Sequence, residues 1–162
     1  MIIRDARADE AAQIVAYWNP QIRDTTVTFT TQEKDPDQLA RDIDMRQAEG
    51  KAFLVACDGV KILGHATYFQ FRSGPGYGHT MEHTVILDPD AWGCGVGRAL
   101  MDALEDHARH AGHHSMIAGI SGDNSGGAAF HDRIGYRYVA TLPEAGFKFG
   151  RWIDLVVMQK LL

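Results

Sequence analysis

The side chains of this chain that could do chemistry gather between His79 and Gly112. Glu82 is the one acid in a short β-branched and apolar run, Met81 to Leu87. An acid flanked by Met81, Val85 and Ile86 is unusual for an outward-facing strand position, and a half-sheltered carboxylate can accept a proton. A turn follows with glycine at 93, 95 and 97 and Arg98 beside it. Val96, Leu100, Leu104 and Ala108 then repeat every fourth residue, so the spacing predicts a helix with one buried face. Strand, glycine turn and helix together offer bare backbone N–H groups to an anion. The first N–H groups of a helix lack internal partners, and the helix dipole adds positive potential there. Glycine lets a phosphate approach the backbone.

Two phosphate ligands suit such a turn. A dinucleotide reader would show G-x-G-x-x-G within a repeated strand–helix–strand pattern, and neither is present. The alternative is another phosphate-bearing ligand, met by the turn residues Gly93, Cys94, Gly95, Val96, Gly97 and Arg98. A plain glycine turn opening a core helix would read the same way. Cys94 could be taken for a nucleophile, but no basic partner is near it in sequence, and a small residue in a tight loop explains it better. His107, His110 and His114 have a metal-like spacing; a helix end, where positive charge suits the dipole, accounts for them without a metal.

The elements that must position these residues are legible. Ile2 to Arg4 reads as a strand. Asp9 can cap a helix carrying Ala11, Ile14, Val15 and Trp18, expected to end before Pro20. Asp35-Pro36 is a cap with proline at the first helical position, and Gly50 is a stop. Ala52 to Ala56 and Ile62 to Phe71 read as strands joined at Asp58-Gly59, a hairpin signal. Met116 to Ile120 is the next strand, Asn124 opens a helix that stops at Gly135, and Tyr138 to Leu142 and Trp152 to Met158 are the last strands. The expected fold is α/β, of the mixed α+β kind: one domain over residues 1–162, with helices on both faces of a mixed sheet.

Composition excludes several classes. A net charge of −5 leaves no nucleic-acid footprint. No apolar run approaches the roughly 20 residues of a membrane span, and the N-terminal residues have no apolar core of a signal peptide. Cys57 and Cys94 form no C-x-x-C pair and suggest no disulfide framework, so a cytoplasmic location is expected.

The turn resembles the pyrophosphate loop Q/R-x-x-G-x-G/A of the GCN5-related N-acetyltransferases, with Gly95 and Gly97 in place and Trp92 where Gln or Arg is usual. The resemblance covers nearly the whole chain and is closest to the amino-acid branch, which acetylates phosphinothricin and methionine sulfoximine. The blocks that carry it are Asn19-Pro20, Thr25-Thr26-Val27-Thr28-Phe29, Glu82-His83-Thr84-Val85, Ala118-Gly119-Ile120, and Gly146 to Trp152 with Asp154. It implies a splayed mixed sheet of about seven strands, acetyl-CoA as co-substrate between the fourth and fifth strands, no metal, and a homodimer paired through the C-terminal region.

It also implies roles. Glu82 would be the general base, and Thr84, Val85 and Ile86 would meet the pantetheine and the oxyanion. His131 stands where many acetyltransferases carry a tyrosine that protonates the leaving thiolate; a histidine that only binds substrate or backbone fits as well. Asn124 and Arg133 would contact the coenzyme. Phe29, Arg72 and Ser73 would line the acceptor pocket, with Arg72 pairing to a carboxylate or phosphinate. Gly74 and Gly78 stand where that branch tends to have arginine, so the acceptor is less defined than the reaction. The expected activity is N-acetylation of a small amino acid or its sulfoximine, sulfone or phosphinic analogue. The rivals are an acetyltransferase for a protein terminus or polyamine, and a non-catalytic acyl-CoA sensor.

Overall fold

A computed structural model describes the chain from Met1 to Leu162. In chain order the elements are β1 (Ile2–Asp5), α1 (Ala11–Asp24), α2 (Pro36–Ala48), β2 (Phe53–Asp58), β3 (Lys61–Gln70), β4 (Thr80–Leu87), α3 (Val96–His110), β5 (Ser115–Ser121), α4 (Ser125–Arg133), β6 (Arg137–Lys148) and β7 (Arg151–Leu161). The strands form one mixed sheet of seven in the order β1-β2-β3-β4-β5-β7-β6. Only β4 and β5 run parallel; every other pair is antiparallel.

Alternation along the central strands divides the core in two. Phe53, Val55 and Cys57 face α1 and α2, where they pack with Ile14, Tyr17, Leu39 and Ile43. Leu54, Ala56, Ala66 and Tyr68 face the opposite way, onto Leu100, Met101 and Leu104 of α3. Burying a leucine of this kind contributes about 1.5–3 kcal/mol, so these rows fix α3, and with it the glycine turn, against the sheet. The buried face of α3 is the one its four-residue spacing predicts. It also carries Glu105, which that spacing does not explain. Glu105 is buried and receives the Lys160 ammonium at 2.6 Å.

Local signals hold where local chemistry decides. Asp35 Oδ1 accepts from the Gln38 N–H at 2.8 Å and caps α2. Asp58 pairs with Lys61 across a two-residue turn whose Gly59 has φ +58°. Three expectations need correcting. Asp9 is not the cap of α1: Glu10 turns back to the Arg7 N–H at 2.8 Å, and Asp9 pairs with the Arg7 side chain instead. Helix α1 does not end before Pro20 but runs through it to Asp24. Proline removes one helical hydrogen bond there, yet the next turn is held by tertiary contacts. Ile22 is fully buried, and the buried Gln21 amide donates to the carbonyls of Tyr17 and Leu87, both at 2.9 Å. Finally, β6 and β7 are much longer than the two short runs expected. Irregular register beside Tyr138 and Leu142 breaks the alternation, and Phe149 and Gly150 close the hairpin with φ of +53° and +73°.

Candidate active site

Strands β4 and β5 pair at only three positions, Thr80–Ser115, Met81–Met116 and Glu82–Ile117, and then part. On its other side β4 stays paired to β3 as far as Leu87. From Thr84 to Ile86 the backbone groups on the β5 side therefore have no sheet partner. Buried backbone polar groups need partners, so this wedge is a place for an extended, amide-bearing ligand.

Glu82 stands where the strands part. Its side chain points to the α1/α2 face, as do Thr84 and Ile86, while Met81, His83 and Val85 point the other way. A Cβ at Gly119 of β5 would lie 2.9 Å from Glu82 Oε1, so any larger residue at 119 would displace the carboxylate from this position. Glu82 is half-buried, and burial pushes its carboxyl above the ordinary value. It lines a cavity of about 360 Å³ together with Phe29, Phe69, Thr84, Asn124 and His131. A second cavity of about 440 Å³ runs from there to the glycine turn, past Leu87, Gly93, Gly97, Phe130 and Arg133. Val85, Ile86, Asn124 and His131 line both, so the two are halves of one cleft.

At the turn, Gly95 is the residue before α3, with φ +80°, and Gly93 has φ +75°. Non-glycine residues rarely adopt this left-handed conformation. A Cβ at either would meet nothing within 4 Å, so both face open space, beside the first N–H groups of α3. Gly97 differs. It is buried, and a Cβ there would press on Phe130 at 3.3 Å and Leu87 at 3.4 Å. Its missing side chain lets α4 approach α3. Cys94 is exposed, and its Sγ lies 3.6 Å from the Trp92 carbonyl. Trp92 is itself 60 % exposed. The Arg98 guanidinium donates to the Arg133 carbonyl at 2.9 Å, and so ties α3 to the end of α4.

Asn124 caps α4, its Oδ1 accepting from the Gly127 N–H at 2.8 Å. His131 is buried and lies against a partner that the sequence did not suggest. Its Nε2 is 3.2 Å from Nε2 of His83, with the rings stacked at 5.0 Å, and its Nδ1 is 2.7 Å from the Gly127 carbonyl. A carbonyl only accepts, so Nδ1 of His131 carries the proton. In the neutral ring Nε2 is then an acceptor, and His83 Nε2–H is the donor it faces. Burial pushes both imidazoles down, His83 to about 3. The pair is therefore neutral at physiological pH and joins β4 to α4 across the cleft.

The Phe29 end of the cleft has a second unforeseen support. The Phe29 ring lies on Gly146 of β6, where a Cβ would come within 2.5 Å of it. Lys148, two residues on, is buried, and its ammonium donates to the carbonyls of Ile22 at 2.6 Å and Thr28 at 2.9 Å. Ile22 is in the last turn of α1, where carbonyls lack helical partners. One side chain thus closes a helix end and pins the Val27–Phe29 wall. Arg72 and Ser73 are exposed and do not line the cleft; Arg72 lies over the Phe71 ring at 5.4 Å.

Of the spaced histidines, His107 bonds the Tyr68 hydroxyl at 2.9 Å and His110 the Asp106 carbonyl at 2.7 Å, while His114 lies beyond the helix. No group of three or more His, Cys, Asp or Glu side chains is arranged to hold a metal ion. No helix is long and apolar enough to cross a membrane.

The sequence profile of the acetyltransferase (GNAT) family matches residues 17–136. The chain is 36% identical to the L-amino acid N-acyltransferase MnaT of Escherichia coli (strain K12), over 98% of this chain and 92% of that one. It is 35% identical to an L-methionine sulfoximine/L-methionine sulfone acetyltransferase of Salmonella typhimurium, over 98% and 93%. Its fold is similar to that of yncA from Salmonella typhimurium, solved with its cofactor acetyl-CoA. The TM-score is 0.94 and the identity 34%, covering 100% of this chain and 94% of that one.

Proposed function

The chain belongs to the acetyltransferase (GNAT) family, and on that footing we propose that it moves the acetyl group of acetyl-CoA to the amine of a small amino acid or its sulfoximine, sulfone or phosphinic analogue, by direct attack with Glu82 as general base. One observation carries the base assignment. The Glu82 carboxylate lies where β4 and β5 part, on the face opposite His83 and Val85, half-buried over Gly119.

The chemistry follows from that position. An α-amine has a pKa of about 8, so at neutral pH most of it arrives as ammonium. A carboxylate attracts that ammonium and accepts its proton, directly or through one water. A carboxyl raised by burial holds the proton better than an exposed one. The freed amine then attacks the thioester carbon, and the C–N bond forms as the C–S bond breaks. The unpaired β4 backbone at Thr84 to Ile86 supplies donors for the oxyanion and partners for the pantetheine amides. Open backbone at Gly93 and Gly95, with the first N–H groups of α3, suits the pyrophosphate, with Arg98 and Arg133 close by.

The assignment of His131 narrows. Its Nδ1 proton is held by Gly127 and its Nε2 faces His83. It can protonate a departing thiolate only from the imidazolium form, which burial disfavours. We expect His131→Ala to lower kcat by much less than Glu82→Gln does. Its loss should shrink further with an acyl donor whose thiol leaves easily, such as an aryl thioester. Equal losses with both donors would remove His131 from the leaving-group step.

The substrate class is tested by thiol release from acetyl-CoA across a panel of L-amino acids, methionine sulfoximine, methionine sulfone, phosphinothricin, a polyamine and an N-terminal peptide. Turnover confined to the amino-acid group supports the reading. Acetyl-CoA binding with no turnover on any amine favours a sensor.

For assembly we infer a homodimer through the β6–β7 region. There Tyr138 and Phe147 of β6, Trp152 of β7 and Phe149 of the turn between them are each more than half exposed. Phe147 and Trp152 pack on each other, ring centres 4.7 Å apart, next to the free edge of β6, and exposed aromatics there suit a protein contact surface. Sedimentation at micromolar concentration should give a dimer, and a monomer would overturn the inference.

A further inference from the structure

A third cavity, of about 440 Å³, adjoins the Glu82 cavity on the α1/α2 face, and Phe69 and Thr84 line both. Its walls include Trp18, Phe53, Lys34 and Arg46. The Lys34 ammonium lies over the Trp18 ring, 4.9 Å from its centre, and has no carboxylate within ion-pair distance. The Arg46 guanidinium likewise has no ion pair; one of its nitrogens bonds Thr67 Oγ1 and the Tyr68 carbonyl. Acids also border the cavity and keep their charge, but none pairs with Lys34 or Arg46. Glu33 pairs with Arg23 at 3.2 Å, Asp35 caps α2, and Asp42 accepts from the Gln38 amide at 2.8 Å. Two free cations beside aromatic walls are what an anionic group on an otherwise apolar ligand requires.

The position of Lys34 is built. Asn19, in the block Asn19-Pro20, accepts the Lys34 N–H at 2.7 Å and donates to the Lys34 carbonyl at 2.9 Å. This double clasp holds the loop between α1 and α2 against α1 and fixes the backbone from which the lysine reaches Trp18. Asn19 thus fixes the backbone of Lys34 beside the Glu82 cavity.

We propose that Lys34, with Arg46 behind it, binds the anionic group of the acceptor while the amine lies at Glu82. This rests on the acetyltransferase reading and names the substrate class within it: primary amines that carry a carboxylate, sulfonate, phosphinate or similar anion. It also gives a source of positive charge in a chain with glycine at 74 and 78 and an exposed Arg72. Lys34 and Arg46 are binding residues in this scheme, and Asn19 is a positioning residue.

The test is steady-state kinetics on an L-amino acid that the wild type acetylates and on its primary amide, which keeps the amine and lacks the anion. Lys34→Met should raise KM for the amino acid about tenfold or more, the usual effect of losing a charge-assisted hydrogen bond. KM for the amide and for acetyl-CoA should stay within about twofold. Lys34→Arg should recover most of the loss. Asn19→Ala should raise the amino-acid KM by a smaller factor, again without touching acetyl-CoA. An amino-acid KM unchanged in Lys34→Met overturns the proposal and leaves the acetyltransferase reading standing, as does an equal rise for acid and amide. The same holds if Arg72→Met carries the acid-specific rise and Lys34→Met does not. A wild type that acetylates no acid-bearing amine overturns the proposal and the amino-acid reading together.

Discussion

Replacing Glu82 with glutamine should cut kcat by roughly 10²–10⁴-fold while acetyl-CoA affinity stays unchanged. Glutamine has nearly the shape of glutamate, so the space over Gly119 remains filled and the wedge between β4 and β5 keeps its form. It cannot take the ammonium proton. KM for the acceptor should rise as well, because the carboxylate attracts the cation before transfer. Raising the pH should partly rescue the variant, since free amine then forms in solution. In the wild type, the acidic limb of the pH–rate profile should lie above the range of an exposed carboxylate, because burial raises this group.

Stability gives an independent check on the same variant. A folded-state pKa raised above the unfolded value contributes stability that is fully present below the unfolded pKa, about 4.3. That stability is lost as pH rises through the folded value. Ionised Glu82 is therefore a cost to the fold at neutral pH. Glu82→Gln should melt higher than wild type at pH 7, and the difference should vanish in acid. A variant that keeps near-wild-type kcat at neutral pH would show that Glu82 is not the base. Water held by backbone carbonyls would be the next candidate.

The second large effect is expected at Gly95. Saturating acetyl-CoA should raise the wild-type Tm by about 5–10 °C, the usual consequence of a ligand at about a hundred times its Kd. Gly95→Glu should abolish that gain. The new Cβ meets no protein atom within 4 Å, so the side chain occupies open space in front of the α3 N-terminus. There its charge opposes the phosphates. Its φ of +80° costs an L-residue about 1–2 kcal/mol, so the variant should also melt lower without ligand. Gly95→Ala separates the two effects: it carries the strain without the charge, and should keep most of the coenzyme-induced gain. Unchanged affinity in Gly95→Glu would remove the turn from phosphate binding.

Features written in neighbouring residues were legible. The four-residue repeat of α3, the Asp35-Pro36 start and the Asp58-Gly59 turn each follow from chemistry within a few positions, and the structure keeps them. The resemblance supplied the placement of Glu82 on the fourth strand. What escaped the sequence was set by contacts across it. Pro20 reads as a stop, but Gln21 and Ile22 are held from outside the helix. Phe149-Gly150 closes a hairpin with left-handed backbone at a residue type that gives no turn signal. His83 and His131 lie 48 positions apart, so nothing local joins them. The packing of Phe29 on Gly146 and the clasp of Asn19 on Lys34 are equally invisible to periodicity.

The Lys148 contact also bears on the order of assembly. It joins β6 to the end of α1 across 126 positions of chain. Contacts that close loops of this length form late, because chain entropy is lost before the contact returns anything. A growing chain has the Glu82 strand, the glycine turn and α3 well before it has Lys148 and Gly146. The Val27–Phe29 wall is therefore expected to be completed only when the β6–β7 hairpin is in place.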